Sequence, residues 1–166
     1  AAIGTSNHLA AELFQAMTGS KLVRVPYKGG GAALTALIAG EVQLMFAVAA
    51  SATPQVKSGK ARALGVTSLK PLELFPGVPT IAESGLPGYE SSSLGALFAP
   101  AKTPEAIITR LNQETIRALS VPELKRALDQ SGIEIVASSP EQLSGMIKSE
   151  IAKWGKVIKD AGIREE

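Results

Sequence analysis

Short β-rich segments alternate with helices through the first part of the chain, and this alternation constrains the fold more than any other feature. The segment 22–25 is rich in valine, and the glycine triplet 29–31 that follows it opens an Ala- and Leu-rich stretch with helical character. Residues 42–48 and 61–67 have the composition of further strands. Strand, glycine turn and helix in this order are typical of an α/β fold, with a mostly parallel sheet flanked by helices.

Helical periodicity and capping residues predict the other elements of this part. Apolar residues recur at helical spacing over 6–18, and Gly19 predicts the end of that helix. A short helix is predicted at 54–58, and a brief one with Thr80 as its N-cap interrupts a stretch rich in turns. The next strand candidate is 91–99.

The sequence pattern changes near Ser93, where the alternation of short strands and helices is followed by long amphipathic helices. One helix follows Pro104, a second begins at Pro122, a short strand is predicted at 133–136, and Pro140 is the predicted first residue of the last helix. The first and last of these helices carry apolar stripes, which are Ile107, Ile108 and Leu111 on one and Ile147, Ile151 and Trp154 on the other. Because neither helix is stable without a partner, we expect the stripes to pack on each other or on a second copy of the chain, as a homo-oligomer.

Composition excludes several classes of function. The chain has no cysteine and a single histidine, His8, so disulfides and cysteine nucleophiles are excluded and a zinc site lacks ligands. Seventeen basic and fifteen acidic residues leave a formal charge of +2, and the basic residues are too dispersed to favour nucleic acid. No apolar run approaches the roughly 18 residues that span a bilayer. We therefore predict no metal, no cofactor and no nucleic-acid partner.

Catalytic motifs are also missing. His8 is followed by Glu12 one turn later, a spacing that predicts a solvated ion pair on a helix. The sequence contains no Gly-x-Ser-x-Gly elbow, and the glycine triplet 29–31 fits neither the phosphate-binding loop nor the dinucleotide fingerprint. We predict that the chain is not an enzyme. A small transferase or hydrolase that uses Lys28 and His8 is the enzymatic alternative.

Two predicted helix N-termini are candidates for binding an anion. One follows Thr5 and the other follows Gly29, and each offers unpaired backbone N–H groups and the positive end of a helix dipole. The alternative interpretation is that the hydroxyls only cap and the glycines only turn. Two such turns in neighbouring parallel strands open at the same sheet edge. We predict a ligand site there, with Tyr27 as a pocket wall and the third strand end beside it, formed by Thr5, Ser6, Tyr27, Gly29, Gly30, Ala47, Val48 and Ala49.

Several motifs occur together and in a specific order. They are Gly4-Thr5-Ser6-Asn7-His8-Leu9-Ala10-Ala11-Glu12-Leu13, Val25-Pro26-Tyr27-Lys28-Gly29-Gly30-Gly31, Gly59-Lys60-Ala61-Arg62-Ala63-Leu64-Gly65-Val66-Thr67, Val78-Pro79-Thr80-Ile81-Ala82-Glu83-Ser84-Gly85, Leu97-Phe98-Ala99-Pro100, Arg110-Leu111-Asn112 and Ile151-Ala152-Lys153-Trp154-Gly155. In this order they resemble the Bug family of tripartite tricarboxylate transporter receptors, over essentially the whole chain.

The resemblance implies a two-lobed, type II periplasmic-binding-protein fold with a carboxylate-bearing solute in the cleft. Residues 1–93 then correspond to the second, ligand-binding lobe, and residues 94–166 to the crossover strand and C-terminal helices of a first lobe whose opening part is missing. The implied function is that of a periplasmic solute-binding protein, which captures a small carboxylate for the membrane subunits of a tripartite tricarboxylate-type transporter. The effector-binding domain of a LysR-type transcriptional regulator, which has a similar two-lobed architecture, is the alternative.

Overall fold

A computed structural model describes residues 3–163 of the chain. Within that range it contains six helices, which are α1 (Ser6–Thr18), α2 (Gly30–Ile38), α3 (Ala49–Lys57), α4 (Glu105–Leu119), α5 (Pro122–Gln130) and α6 (Pro140–Asp160). The larger contacts between helices are those of α1 with α6, α2 with α3 and α4 with α5.

Local capping chemistry sets most helix ends where the sequence predicts them. Gly19 ends α1 in the left-handed conformation, with φ 67°, and its N–H donates to the Gln15 carbonyl. Gly29 precedes α2 with φ 139°, a conformation that only glycine adopts readily. At the start of α6, Ser139 and Gln142 form a reciprocal capping box ahead of Pro140. These three ends confirm the predicted helices at both ends of the chain.

Helix α3 begins earlier than the sequence predicts. The expected start was at residue 54, but the helix already begins at Ala49, and Pro54 lies inside it. The Ser51 hydroxyl donates to the Val48 carbonyl at 2.7 Å in the first turn. The alanine-rich run at 49–52 has a high helix propensity, and a proline in the second turn removes only one backbone hydrogen bond. The prediction of 54–58 was therefore too short.

The predicted sheet is reduced to one parallel bridge in the part of the chain that the structure describes. Val66 pairs with Thr80, the Val66 N–H donates to the Pro79 carbonyl at 3.0 Å, and the Ile81 N–H donates to the Val66 carbonyl at 2.9 Å. The segments 22–25, 42–48, 91–99 and 133–136, and most of 61–67, form no strand ladder there. A segment becomes a strand only where a neighbour runs alongside it about 4.8 Å away, and a sequence pattern does not provide that neighbour.

The predicted helix at Thr80 is a capped turn. The Thr80 N–H donates to Glu83 Oε2, and the Glu83 N–H donates to Thr80 Oγ1, each at 3.0 Å. These are the two bonds of a capping box, and the Thr80 side chain is completely buried. The cap was predicted correctly, but the helix ends after one turn because Gly85 follows, with φ 113°.

The core lies around α1 and the segment 66–91. The buried side chains are Ala10, Ala33, Ala36, Val66, Phe75, Tyr89 and Val157, together with the polar His8, Thr80 and Ser91. The Tyr89 hydroxyl donates to the Ala10 carbonyl at 2.9 Å, and the Tyr89 ring meets Phe14 edge-on at 6.1 Å between centroids. Tyr89 therefore joins the end of the turn-rich stretch to α1.

Helices α4 and α5 have no buried residue, and α6 packs against α1 rather than chiefly against α4. The Asn112 side-chain amide of α4 donates to the Ser138 carbonyl at 2.9 Å, which links α4 to the start of α6. The prediction that the two apolar stripes pack on each other is wrong, because α1 takes the place of α4 as the partner of α6. Packing on a second copy of the chain remains a prediction.

Candidate ligand-binding site

The first three helices begin without a charged or side-chain cap. Their N-cap residues are Thr5, Gly29 and Val48, and none of these caps its helix through its side chain. None of the three helices has an acidic residue in its first turn. The first backbone N–H groups of an α-helix have no partner within the helix, and the dipole places positive potential there. These ends are therefore suited to an anion from outside the chain.

The later helices have the opposite chemistry at their N-termini. Helices α4, α5 and α6 carry Glu105, Glu123 and Glu141 in their first turns. The backbone N–H of Glu141 and the Ser139 hydroxyl hold the pKa of the Glu141 carboxyl below its usual range. A carboxylate thus already occupies the N-terminus of α6, and it is supplied by the chain itself.

The eight predicted site residues lie at the N-termini of α1, α2 and α3 or directly before them. The ring of Phe46 packs against Phe14 of α1, with 5.9 Å between centroids, and this contact holds the predicted wall 47–49 near α1. Helix α3, which starts with Ala49, also packs against α2, which starts with Gly30. The contacts therefore join α2 to α3, and they join the segment before α3 to α1.

Tyr27 is half-buried just before the glycine turn. Its hydroxyl donates to Glu41 Oε2 at 3.5 Å, a long and weak contact. Partial burial, followed by the negative charge of Glu41, raises the pKa of the Tyr27 hydroxyl. The hydroxyl therefore keeps its proton at neutral pH and can act as a donor.

A cavity of about 280 Å³ opens beside the N-terminus of α1. Its walls come from the first turns of α1, the segment 92–94 and α6, and its lining residues are Ser6, Leu9, Ser92, Ser93, Leu94, Glu150 and Trp154. Of the eight predicted site residues, only Ser6 lines it. The sequence signals for the other lining residues were the serine run 91–93 and the tryptophan of α6, but these lie far apart in the chain.

Side-chain bonds fix the wall of this cavity that α6 provides. The indole N–H of Trp154 donates to Glu150 Oε2 at 2.6 Å, and Lys153 pairs with Glu90. Burial on its own raises the pKa of Glu90, but hydrogen bonds from Lys153 and Ser92 outweigh it, so the pKa lies below the usual range. Glu90 is therefore ionised at neutral pH and joins the segment before the cavity to α6. Trp154, which the sequence places in the apolar stripe of the last helix, is half-buried at the cavity.

His8 pairs with Glu12 as predicted, with 3.3 Å between Nε2 and Glu12 Oε1. The prediction of a solvated pair is wrong, since only 7% of His8 is exposed. Ala10, two residues further along α1, is buried as well. The Gly4 N–H donates to His8 Nδ1 at 3.1 Å, so the ring accepts at one nitrogen and meets a carboxylate at the other.

Within residues 3–163 there is no group of three or more histidine, aspartate and glutamate side chains placed to hold a metal ion. Over the same range, none of the helices combines the length and the apolar character needed to cross a membrane.

The amino-acid sequence matches the tripartite tricarboxylate transporter family receptor over residues 1–163. The UPF0065 protein in the tcbD-tcbE intergenic region of Pseudomonas sp. (strain P51) is 42% identical over 159 residues, which are 95% of this chain and 47% of that protein. Protein BugT of Bordetella pertussis is 35% identical over 163 residues, 98% of this chain and 50% of BugT. The chain spans about half the length of these relatives.

Solved structures show the same relationship. Rpa4515 of R. palustris, in complex with adipate, superposes with a TM-score of 0.83 at 38% identity. The superposed region covers 96% of this chain and 54% of the Rpa4515 chain. The periplasmic binding protein BugD gives 0.77 at 31% identity, with 100% and 56% covered. MatC from Rhodopseudomonas palustris, with bound malate, gives 0.72 at 31% identity, with 93% and 54% covered.

These superpositions confirm the predicted fold class, that of periplasmic binding proteins. They do so although the chain forms only one bridge of the expected sheet within the described residues. The sequence match covers all but the last three residues, so this chain belongs to the family of tripartite tricarboxylate transporter receptors, which includes the Bug proteins.

Proposed function

We propose that the chain is the ligand-holding part of a periplasmic solute-binding protein that captures a small mono- or dicarboxylate for the membrane subunits of a tripartite tricarboxylate-type transporter. The observation that carries this proposal is the chemistry of the helix ends. The first three helices begin without an acidic residue, whereas each of the three later helices begins with one. In this view the ligand supplies the carboxylate that α1, α2 and α3 lack.

Hydrogen bonds from backbone N–H groups to a carboxylate are strong enough for this role. Each charge-assisted bond contributes about 1.5–3 kcal/mol, so a few of them account for a micromolar affinity. Glu141 at the start of α6 is an internal example, because the backbone N–H and the Ser139 hydroxyl lower the pKa of its carboxyl. No catalytic step is needed, and a binding role without turnover fits this arrangement.

The relatives support a small carboxylate as ligand. Rpa4515 was solved with adipate and MatC with malate, and both of these are dicarboxylates. The Ser6, Ser92 and Ser93 hydroxyls at the cavity add neutral hydrogen-bonding groups beside the α1 end. We propose that residues 1–93 form the ligand-binding lobe and that residues 94–166 belong to the other lobe. The family membership favours this receptor role over the effector-binding domain of a LysR-type regulator.

A thermal-shift screen on the full-length protein tests the proposal. Adipate, malate and small monocarboxylates are compared with neutral sugars and with inorganic cations at equal ionic strength. A ligand at 100 times its Kd stabilises the folded state by about 2.7 kcal/mol, which gives a clear shift in Tm. We expect at least one carboxylate to do so. Stabilisation by sugars or cations with none from any carboxylate would overturn the proposal.

A further inference from the structure

A histidine makes the side-chain hydrogen bond to the backbone that holds the first turn of α1, which is unusual for that position. His8 is the third residue of α1, and its Nδ1 accepts the backbone N–H of Gly4, which lies just before the N-cap Thr5. In a capping box, a glutamate or glutamine at the third position reaches back in a similar way to the backbone N–H of the N-cap. Helix α6 has that standard arrangement, with Gln142 accepting from the Ser139 N–H at 2.8 Å.

The acceptor at this position affects the charge at the helix end. A glutamate accepts the bond but places a negative charge beside the backbone N–H groups that the ligand needs. A neutral imidazole accepts the same bond without that charge. His8 is buried, and Glu12 lies 3.3 Å from Nε2, so the neutral tautomer protonated at Nε2 satisfies both contacts.

We propose that His8 is a positioning residue for carboxylate binding, which ties the Gly4–Ser6 turn to α1 as a neutral acceptor and so keeps the α1 N-terminus shaped and positive for the ligand. This inference rests on the proposed function. Ser6, the first residue of α1, lines the cavity, so any shift of the turn moves a cavity wall. His8 itself acts only through the turn.

The charges around the ring are consistent with a neutral state near pH 7. Burial is the main cause that lowers the pKa of His8, and Arg24 lowers it further. Glu12, on the same helix, acts in the opposite direction. Protonation of Nδ1 would replace the acceptor by a donor facing the Gly4 N–H, and the tie would break.

The test separates two properties of residue 8, its hydrogen-bond acceptor and its charge. The affinity of the full-length protein for adipate and malate is measured for each variant. H8A removes the tie, and the loss of a helix cap predicts about tenfold weaker binding. H8Q keeps a neutral acceptor and is expected to restore affinity to within about threefold of wild type. In an E12Q background, H8E keeps an acceptor but adds a charge, and we expect at least about tenfold weaker binding than H8Q in that background.

If His8 has this role, the charge added in H8E changes the stability of the protein and its affinity for the ligand in opposite directions. A negative charge near a helix N-terminus favours the helix, so the H8E/E12Q protein is expected to unfold no more easily than H8Q/E12Q while it binds adipate less tightly. Equal affinities for these two variants, or an unchanged affinity in H8A, would show that His8 has only a packing role and does not affect ligand binding.

A measurement without ligand separates this inference from the proposed function. The protection factor of the Gly4 amide, which is its intrinsic exchange rate divided by its measured rate, is expected to be high in wild type and H8Q and lower in H8A, and to fall in wild type when the ring is protonated at acid pH. If all variants exchange alike, the tie is wrong whatever the ligand. If the exchange rates differ as expected but no carboxylate binds wild type, the tie is real and the proposed function is wrong, together with the role of His8 in it.

Discussion

The chain up to Ser91 and the chain after it differ in how they bury their side chains. Every buried residue of the described range except Val157 lies at or before Ser91, and α4 and α5 contribute none. In the first part, Tyr89 and Thr80 are almost completely enclosed. In the second part, Leu111 is 52% exposed and Ile151 is 68% exposed. Amphipathic helices of this kind form from a local pattern, but their stability comes from a partner.

The surface area of the whole chain agrees with this contrast. The chain exposes 11543 Å², against about 7,800 Å² for a compact protein of its mass. Large apolar side chains are among the exposed residues, including members of the stripes on α4 and α6. The first part has its own core, whereas the second has apolar faces that require another surface.

The helix ends separate the same two parts. Glutamates in the first turns of α4, α5 and α6 compensate the dipole from within the chain, and the first turns of α1, α2 and α3 have no such residue. A substitution that introduces an acidic residue into the first turn of α1, α2 or α3 therefore tests the comparison directly.

The largest effect is expected from Gly30→Asp in α2. The position is exposed, a Cβ there meets no atom within 4 Å, and its φ is not in the left-handed region, so the side chain is accommodated. The new carboxylate would lie at the proposed position of the ligand carboxylate, and repulsion of about 3 kcal/mol at 5 Å would weaken binding by about a hundredfold. Calorimetry with adipate or malate on the full-length protein measures this.

Two controls belong to that experiment. Ala106→Asp places a carboxylate in the first turn of α4, next to Glu105, and is expected to leave affinity unchanged. Lys28→Ala removes a charge beside the glycine turn and is expected to change affinity less than about threefold if backbone groups hold the ligand. Wild-type affinity in a folded G30D protein together with a large loss in K28A would replace the helix-end site by a salt bridge.

The next effect concerns the exposed apolar faces of the second part. A protein extended to the length of its relatives is expected to bind its carboxylate at least about tenfold more tightly than this chain alone, because closure of two lobes around a ligand completes the wall of the cleft. The comparison is made by calorimetry with one carboxylate and both proteins. Equal affinities would mean that the first part alone makes the whole site.

Exposed stripes also predict self-association of the chain by itself. Ile151→Lys and Leu111→Lys are expected to lower the fraction of dimers or larger species in light scattering, because each puts a charge in an exposed apolar patch. Val23→Lys is the matched control, since Val23 is 91% exposed but lies in the first part. A strictly monomeric chain, or equal effects of all three substitutions, would contradict the role of the stripes.

Local chemistry explains what could be predicted from the sequence. The end of α1 at Gly19 and the start of α6 at Pro140 depend on residues within one turn of each end, and both predictions were correct. The cap at Thr80 was likewise predicted, although the helix after it is only a turn.

Contacts between distant segments explain what could not be predicted. The cavity brings Ser6 together with Ser93 and Trp154, and the burial of His8 depends on what packs over α1. Strand pairing has the same difficulty, because the composition of a segment such as 42–48 favours a strand but does not select its neighbour. The family resemblance supplied the fold class that these local patterns left open, and the structural comparisons confirmed it.

The smallest expected effect is the pH dependence of stability, which comes from the first part alone. His8 is the only histidine of the chain, and burial lowers its pKa below the ordinary value of 6.5. The unfolded ring therefore takes up a proton at a higher pH than the folded ring does. Stability is fully present above pH 6.5 and is lost as the pH falls through the lower pKa of the folded state.

Urea unfolding at pH 7.5, 6.5 and 5.5 measures this dependence in wild type and in H8Q. We expect the midpoint of wild type to fall toward pH 5.5 and that of H8Q to fall less, because glutamine keeps the acceptor for the Gly4 N–H and does not titrate. A slope that persists in H8Q would have to arise from a group other than His8. If wild type instead became more stable than H8Q as the pH fell, the charged ring would be the favoured form in the folded protein. Glu12, rather than the Gly4 N–H, would then be the contact that determines the state of His8.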